Sequence, residues 1–109
     1  MSKWSIKRSE IIYCDLGIRP GSVQSGIRPC VVVSNDIGNA HSTVYTVVPL
    51  TSQQKTYLPT HVGLSSGSTA LCEQCTTVSE KQVLRKKGDN LGKTDMQRID
   101  NGLRVALDL

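Results

Sequence analysis

Five short apolar segments, separated by turn-forming residues, follow one another along most of this 109-residue chain. They are rich in Val, Ile, Leu, Thr and Tyr, and most of these residues favour β-strands. We predict strands at residues 10–16, 30–34, 43–50, 57–64 and 69–78. The fourth is the weakest, because Pro59 cannot donate to a ladder and belongs at an edge or a bulge. Such close spacing in so short a chain indicates a strongly bent sheet or small barrel.

The second segment has four apolar residues in a row, CVVV at 30–33, which predicts a strand buried on both faces. A long loop rich in glycine and proline is predicted before it, at 17–28. The sequence NDIGN at 35–39 follows it and predicts a turn, because Asn, Asp and Gly tolerate the backbone conformations that turns require.

The apolar period changes after residue 78. The sequence SEKQ at 79–82 has the capping-box pattern and predicts a short helix that Gly88 ends. The pattern recurs in TDMQ at 94–97, and apolar residues then follow the spacing of one helical face: Met96, Ile99, Leu103, Ala106 and Leu107. Gly102 competes with this interpretation, since it costs about 1 kcal/mol relative to Ala inside a helix. The periodicity nevertheless predicts a C-terminal helix.

Length and composition predict one domain, residues 1–109, with 38% apolar residues and a formal net charge of +4. No apolar run approaches the ~20 residues needed to span a bilayer, and none near the start resembles a signal peptide. We therefore expect a cytoplasmic protein without a membrane anchor. The positive charge weakly favours acidic partners such as nucleic acid.

Four cysteines raise the question of a disulfide or zinc site: Cys14, Cys30, Cys72 and Cys75. In a strand, Cys72 and Cys75 would point to opposite faces, because they are three residues apart. We therefore predict reduced thiols, several of them in the core, and no metal site.

Arg28 lies between the long loop and the second predicted strand, just before Pro29. From its position alone it has two interpretations: it binds an anionic ligand, or it anchors the loop through an ion pair with Asp15 or Asp36. The two histidines, His41 and His61, are assigned surface or turn roles, and His61 is the better candidate for a structural contact.

Several motifs, taken in order, resemble the MazF/PemK toxins of bacterial toxin–antitoxin pairs: SGIRP at 25–29, NDIGN at 35–39, PLTS at 49–52, LPTH at 58–61 and LCEQC at 71–75. Each is weak by itself, but the whole series, at family-like spacing over nearly the entire chain, is specific.

The resemblance implies a mainly β protein with a C-terminal helix, built as a small SH3-like barrel of the MazF/CcdB type with short appended helices. It further implies a homodimer and a metal-independent endoribonuclease without cofactors. Such enzymes cut single-stranded RNA, chiefly mRNA, at short sequences and leave 2′,3′-cyclic phosphate and 5′-hydroxyl ends. The implied partner is an acidic, MazE-like antitoxin.

By the same resemblance, Arg28 and Thr51 match the family's catalytic arginine and threonine. A guanidinium suits stabilisation of the negative charge that develops on phosphate, and a threonine hydroxyl can donate to that phosphate. Further candidates for catalysis or RNA binding are Ser52, Glu73, Gln74, Gln24 and Ser22. Glu73 has three open roles: general base, a partner that orients Arg28, or a carboxylate paired with a surface lysine.

Two positions depart from the family pattern. Val23 stands where members often have glutamate, and Thr76 stands where they commonly have arginine. These departures favour one rival function, an RNA-binding barrel with impaired cleavage. A second rival is a non-catalytic toxin that binds DNA gyrase, as CcdB-type proteins of the same fold do, because fold does not settle function.

Overall fold

The computed structural model describes residues 4–54 and 58–109, which form short antiparallel strands followed by a C-terminal helix. The strands are β1 (Glu10–Asp15), β2 (Ile27–Val32), β3 (Val44–Thr51), β4 (His61–Gly63), β5 (Thr69–Leu71), β6 (Thr76–Ser79) and β7 (Val83–Asn90). The α-helices are α1 (Asp36–His41) and α2 (Lys93–Leu107), and single 3-10 turns cover Cys72–Gln74 and Glu80–Gln82. The predicted fold class, mainly β with a C-terminal helix, is confirmed.

The long strand β3 organises the sheet. The strand order is β4-β5-β3-β2-β1-β7, and β6 pairs with β3 beside this path. The first half of β3 pairs with β6, its middle with β2, and its last two residues with β5. The end of β3 therefore lies where two parts of the sheet meet.

Two apolar cores lie on the two faces of the sheet. The inner core consists of Ile6, Ile12, Cys14, Leu16, Cys30, Val32, Tyr45, Val47, Val78 and Val83. The outer core, between the sheet and α2, consists of Ile11, Val31, Val48, Leu50, Val62, Leu64, Ala70, Cys72, Met96 and Ile99. Because side chains alternate along a strand, neighbours in β1, β2 and β3 enter different cores. The predicted burial of residues 30–33 on both faces is thereby confirmed.

Helix α2 buries the face that the apolar period predicts, with Met96 and Ile99 in the outer core. Gly102 is explained by packing: a Cβ there would lie 2.8 Å from the Cys72 Sγ and 2.9 Å from the Val62 Cγ2. The predicted capping box at 94–97 is wrong, since the helix begins after Gly92 and no side chain caps it. No helix in the described parts of the chain has the length and apolar character needed to cross a membrane.

The predicted helix after residue 79 is wrong beyond its first turn. The capping box between Ser79 and Gln82 does form, but it caps a single 3-10 turn. The chain then continues as β7, which pairs with β1 and places Val83 in the inner core. Pairing with β1 satisfies the backbone of this mostly polar segment, so tertiary structure overrides the local helical preference.

Other boundaries differ from the prediction. The single strand expected at 69–78 is broken by the 3-10 turn at Cys72–Gln74 into β5 and β6. The long loop ends earlier than predicted, because β2 already begins at Ile27. NDIGN supplies the Asn35 cap and the first residues of α1 rather than an isolated turn. The strand predicted at 57–64 is shortened to β4, and its first residue lies outside the described residues.

Candidate active site

Arg28 lies at the second position of β2, where the chain leaves the long loop, and it is exposed. Its Nε donates a hydrogen bond to the Ser25 carbonyl oxygen (3.0 Å). Among residues 4–54 and 58–109, no carboxylate forms an ion pair with this guanidinium. The interpretation of Arg28 as an anchor paired with Asp15 or Asp36 is therefore wrong. Both carboxylates accept hydrogen bonds from backbone N–H groups instead.

Thr51 is the last residue of β3 and pairs with Thr69 of β5. It is only 8% exposed, and its Oγ1 accepts a hydrogen bond from the Gln53 N–H (3.2 Å). A hydroxyl that accepts one hydrogen bond can still donate its own proton. Thr51 therefore presents a fixed donor at the strand end, and the exposed Ser52 follows it directly.

The strand register relates Arg28 to Thr51. The antiparallel ladder between β2 and β3 pairs Val32 with Val47 and ends at Cys30 opposite Pro49. Continuing this register by two residues on each strand sets Arg28 opposite Thr51. Opposite residues of an antiparallel pair project from the same face of the sheet. The extended register thus assigns both candidates to the same end of the β2–β3 pair, which is consistent with a shared site.

The loop between β1 and β2 is closed at its base by two backbone hydrogen bonds. The Leu16 N–H donates to the Gly26 carbonyl, and the Gly26 N–H donates to the Gly17 carbonyl, both at 2.8 Å. Gly17 and Gly26 have φ values of 76° and 72°, a region that glycine adopts without strain. Residues 17–26 therefore form a closed loop with a glycine at each end, which we call the β1–β2 loop.

Gln74 reaches the tip of the β1–β2 loop from the 3-10 turn. Its Oε1 accepts a hydrogen bond from the Gln24 N–H (2.7 Å), and its Nε2 donates to the Ser22 carbonyl (3.3 Å). The structure thus brings Ser22, Gln24 and Gln74 together, as expected for residues of one site. The contacts use the main chain of Ser22 and Gln24, which leaves both of those side chains outside these two bonds.

Glu73 points to β4. Its carboxylate accepts from the Thr60 hydroxyl (2.9 Å) and pairs with the His61 Nε2 (2.7 Å), so it pairs neither with a lysine nor with Arg28. Burial by itself would raise the pKa of Glu73, but hydrogen bonds from His61, the backbone and Thr60 bring the pKa below its usual value. A carboxylate stabilised in this way is a weak proton acceptor. The predicted structural contact of His61 is confirmed, but its predicted surface or turn position is wrong, because His61 is buried and begins β4.

A cavity of about 720 Å³ lies between the sheet, α2 and the turn that includes Ser65 and Ser66. Pro29 and Leu50 line it, although neither Arg28 nor Thr51 does. Since neighbours along a strand project from opposite faces, the cavity opens on the other side of these strand ends. It is therefore not the space between the two candidate catalytic side chains.

All four cysteines are free thiols. Burial raises the pKa of Cys72 to about 12, and a hydrogen bond with Cys14 together with burial raises the pKa of Cys30. Cys72 is the first residue of a 3-10 turn and Cys75 follows that turn, so the two do not lie in one strand as predicted. In the described ranges, no three His, Cys, Asp or Glu side chains come together as a metal site.

Two contacts of the site are absent from the sequence-based prediction. The Ser25 carbonyl oxygen, which accepts the hydrogen bond from the Arg28 Nε, belongs to the main chain. No residue type in the sequence therefore indicates this contact. The link between Glu73 and LPTH joins residues at least 12 positions apart. In the sequence, only the assignment of His61 as a candidate for a structural contact hinted at that pair.

Comparison with known proteins identifies the fold and the family. The sequence matches the PemK-like, MazF-like toxins of type II toxin–antitoxin systems over residues 7–107. The chain belongs to this family. Endoribonuclease EndoA of Bacillus subtilis (strain 168) is 38% identical over 112 residues, which cover 95% of this chain and 96% of the relative.

Solved structures of the PemK/MazF family agree with this assignment. An endoribonuclease in complex with its cognate antitoxin, from a mycobacterial species, has a TM-score of 0.81 at 25% identity, with 95% of this chain and 96% of that chain covered. MazF from Deinococcus radiodurans has a TM-score of 0.84 at 18% identity, with 98% and 100% covered. The predicted MazF-type fold is confirmed.

Within this PemK/MazF-family chain, the candidate residues fall into three groups. Arg28, Thr51 and Ser52 lie at the adjoining ends of β2 and β3. Gln74 and the main chain of the β1–β2 loop form the second group. Glu73 forms the third group: it faces β4 and not the other two groups. Its bonds to Thr60 and His61 stabilise the 3-10 turn that contains Gln74.

Proposed function

We propose that this protein is the toxin of a type II toxin–antitoxin pair and acts as a metal-independent, sequence-specific endoribonuclease. Its substrate is single-stranded RNA, chiefly mRNA. Membership of the PemK/MazF family and the endoribonuclease relative support this proposal. The observation that carries it is the exposed Arg28 guanidinium, free of any carboxylate among the described residues, at the strand end that adjoins Thr51.

The proposed reaction is attack of a ribose 2′-oxygen on the adjacent phosphorus. The new O2′–P bond forms as the P–O5′ bond breaks, the 2′-hydroxyl loses its proton to a base, and the 5′-oxygen gains a proton. The products carry a 2′,3′-cyclic phosphate and a 5′-hydroxyl. Negative charge accumulates on the non-bridging oxygens, where the planar fork of Arg28 stabilises it and the Thr51 hydroxyl donates.

Glu73 is proposed as a structural residue and not as the base. Its lowered pKa and its bonds to Thr60 and His61 make proton uptake unfavourable near neutral pH. Ser52 is exposed beside Thr51 and is proposed as a phosphate contact.

Assembly and location are proposed from the family. We expect one domain over residues 1–109, a cytoplasmic homodimer, and inhibition by an acidic, MazE-like antitoxin. The mycobacterial structural relative is an endoribonuclease in complex with its cognate antitoxin. The net charge of +4 suits both an acidic antitoxin and RNA.

A cleavage assay in EDTA tests this function. Purified protein should cut a long single-stranded RNA, and kinase labelling without prior phosphatase treatment should reveal 5′-hydroxyl ends. Arg28→Ala should reduce cleavage by at least about 10³-fold. Arg104→Ala, which removes an exposed arginine on α2, should cleave like the wild type.

Three results would contradict the proposal: full activity of Arg28→Ala, strict dependence on a divalent metal, or RNA binding without cleavage by the wild type. Primer extension on the products identifies the cleaved sequences when cleavage occurs.

A further inference from the structure

We propose that Gln74 is a positioning residue that sets the orientation of the Arg28 guanidinium through the β1–β2 loop. The inference rests on the proposed function, since it assigns a consequence for cleavage. It starts from the two hydrogen bonds between the Gln74 amide and the loop main chain.

Apart from its contacts with Gln74, the β1–β2 loop is held mainly at its base. Its base is closed by the bonds between Leu16, Gly17 and Gly26. Apart from the Gln74 bonds, the tip has one weak internal hydrogen bond, from the Val23 N–H to the Pro20 carbonyl (3.4 Å). Val23 is 44% exposed, so little apolar burial holds the tip either.

The Gln74 side chain contacts two main-chain groups of the loop at once. A primary amide offers one carbonyl oxygen and an NH₂ group, and Gln74 uses both on residues two positions apart. This pairing fixes the distance and the rotation of the segment between Ser22 and Gln24. Because the partners are main-chain atoms, side-chain changes in the loop would leave the clamp intact.

Ser25 connects the tip of the loop to Arg28. Ser25 follows Gln24 directly, and its carbonyl accepts the hydrogen bond from the Arg28 Nε. With Nε occupied, the two NH₂ groups at the end of the guanidinium remain for a ligand, and together they form a planar fork. The position of the Ser25 carbonyl therefore decides where that fork points.

The 3-10 turn that carries Gln74 is bound to neighbouring segments. The Cys72 N–H donates to the Thr60 carbonyl (3.0 Å), and the Cys72 side chain is buried against α2. Glu73 binds Thr60 and His61 of the neighbouring segment. The 3-10 turn is thus fixed on two sides, and Gln74 extends from a rigid base to a loop that has few other contacts.

The chain of contacts runs from the turn through Gln74 and Ser25 to Arg28. Loss of the Gln74 contacts would leave Arg28 in place but allow its guanidinium to adopt more orientations. A misdirected catalytic group slows the chemical step more than it weakens binding. A residue that contacts RNA directly would instead change the affinity.

The test compares Gln74→Leu, which removes both bonds, with Gln74→Glu, which keeps an acceptor for the Gln24 N–H but loses the donor to Ser22. Gln97→Leu, on the exposed face of α2, is the matched control. Three quantities are measured: the single-turnover cleavage rate at saturating RNA, the affinity for the same RNA with a 2′-deoxy substitution at the cleaved position, and the hydrogen exchange of the Arg28 Nε–H by NMR.

Gln74→Leu should lower the single-turnover rate about tenfold and change the affinity less than about twofold. The Arg28 Nε–H should exchange faster than in the wild type. Gln74→Glu should show a smaller change in both rate and exchange, and Gln97→Leu none. If Gln74→Leu does not fold, the graded result of Gln74→Glu decides.

Two results would overturn the inference. A loss of affinity at an unchanged saturating rate, with unchanged Nε–H exchange, would make Gln74 a direct RNA contact. Unchanged rate and exchange would remove any role for it. If the wild type cleaves no RNA at all, the proposed function fails, whereas the exchange measurement still decides whether Gln74 orders Arg28.

Discussion

The two proposed catalytic side chains lie at adjoining strand ends, yet they are held in different ways. Thr51 is almost buried, ends the central strand β3, and is paired with β5. Arg28 is exposed, follows a loop with a glycine at each end, and is oriented by one hydrogen bond to that loop. The site therefore combines a rigid half and an adjustable half.

This difference suits the chemistry. A small donor such as a threonine hydroxyl is effective only if its position is fixed in advance, because it cannot follow a moving phosphate. A long guanidinium can approach RNA after it binds, but its flexibility costs entropy unless neighbouring contacts limit it. The Gln74 contact is proposed to supply that limit.

Among the variants that test this difference, Arg28→Lys should have the largest effect on the cleavage rate, although it keeps the positive charge. Lysine has neither the planar fork nor the Nε–H that bonds to Ser25. We expect the single-turnover rate to fall by on the order of 10³, with RNA affinity reduced by much less. Near-wild-type cleavage by this variant would mean that a point charge is sufficient and that orientation of Arg28 is irrelevant.

Thr51→Val should have the next largest effect. Valine has nearly the same shape, so the strand end should stay intact while the hydroxyl is lost. The expected decrease in rate is on the order of 10². Thr51→Ser restores the hydroxyl but not the β-branch that stiffens the side chain, so it should recover most of this loss but not all. Equal activity of the serine variant and the wild type would contradict a need for rigidity.

Gly102→Ala tests the support of the 3-10 turn that carries Gln74. The new methyl group would meet Cys72 and Val62 at less than 3.0 Å, which outweighs the gain in helix propensity. We expect a loss of about 1–2 kcal/mol in the free energy of unfolding, measured with urea. Gln97→Ala, on the exposed face of α2, is the control. If Gly102→Ala is as stable as the wild type, the packing around Gly102 relaxes without cost.

The predictability of these regions from sequence differs for physical reasons. Helix α2 and the buried strand β2 were predicted because apolar periodicity reports directly on which faces are buried. The segment after residue 79 was mispredicted because β7 has only Val83 buried, and its pairing with β1 depends on the backbone. Local signals described the cap correctly but could not reveal the neighbouring strand.

The candidate site residues can be chosen from the sequence, but their roles stay predictions. Motif resemblance selected Arg28, Thr51 and Gln74, and the register of β2 with β3 supports the grouping of the first two. The orientation of Arg28 by the Ser25 carbonyl was not predictable, because main-chain acceptors have no residue signature. The partners of Glu73 were equally hidden, since they depend on how a turn and a distant strand pack.

The smallest expected effect concerns the pH dependence of the turn that carries Gln74. The pKa of Glu73 is lowered in the folded state, so its bonds to Thr60 and His61 stabilise the protein above the ordinary carboxyl pKa of about 4.5. That contribution is lost as the pH falls through the folded-state pKa. Glu73→Gln should reduce the free energy of unfolding by about 0.5–1 kcal/mol at pH 7, because the group is partly exposed. The difference from the wild type should shrink toward pH 3, whereas Asp89→Asn, at an exposed site, should show little difference at either pH. A pH-independent difference would mean that the shape of the Glu73 side chain, and not its charge, stabilises the turn that carries Gln74.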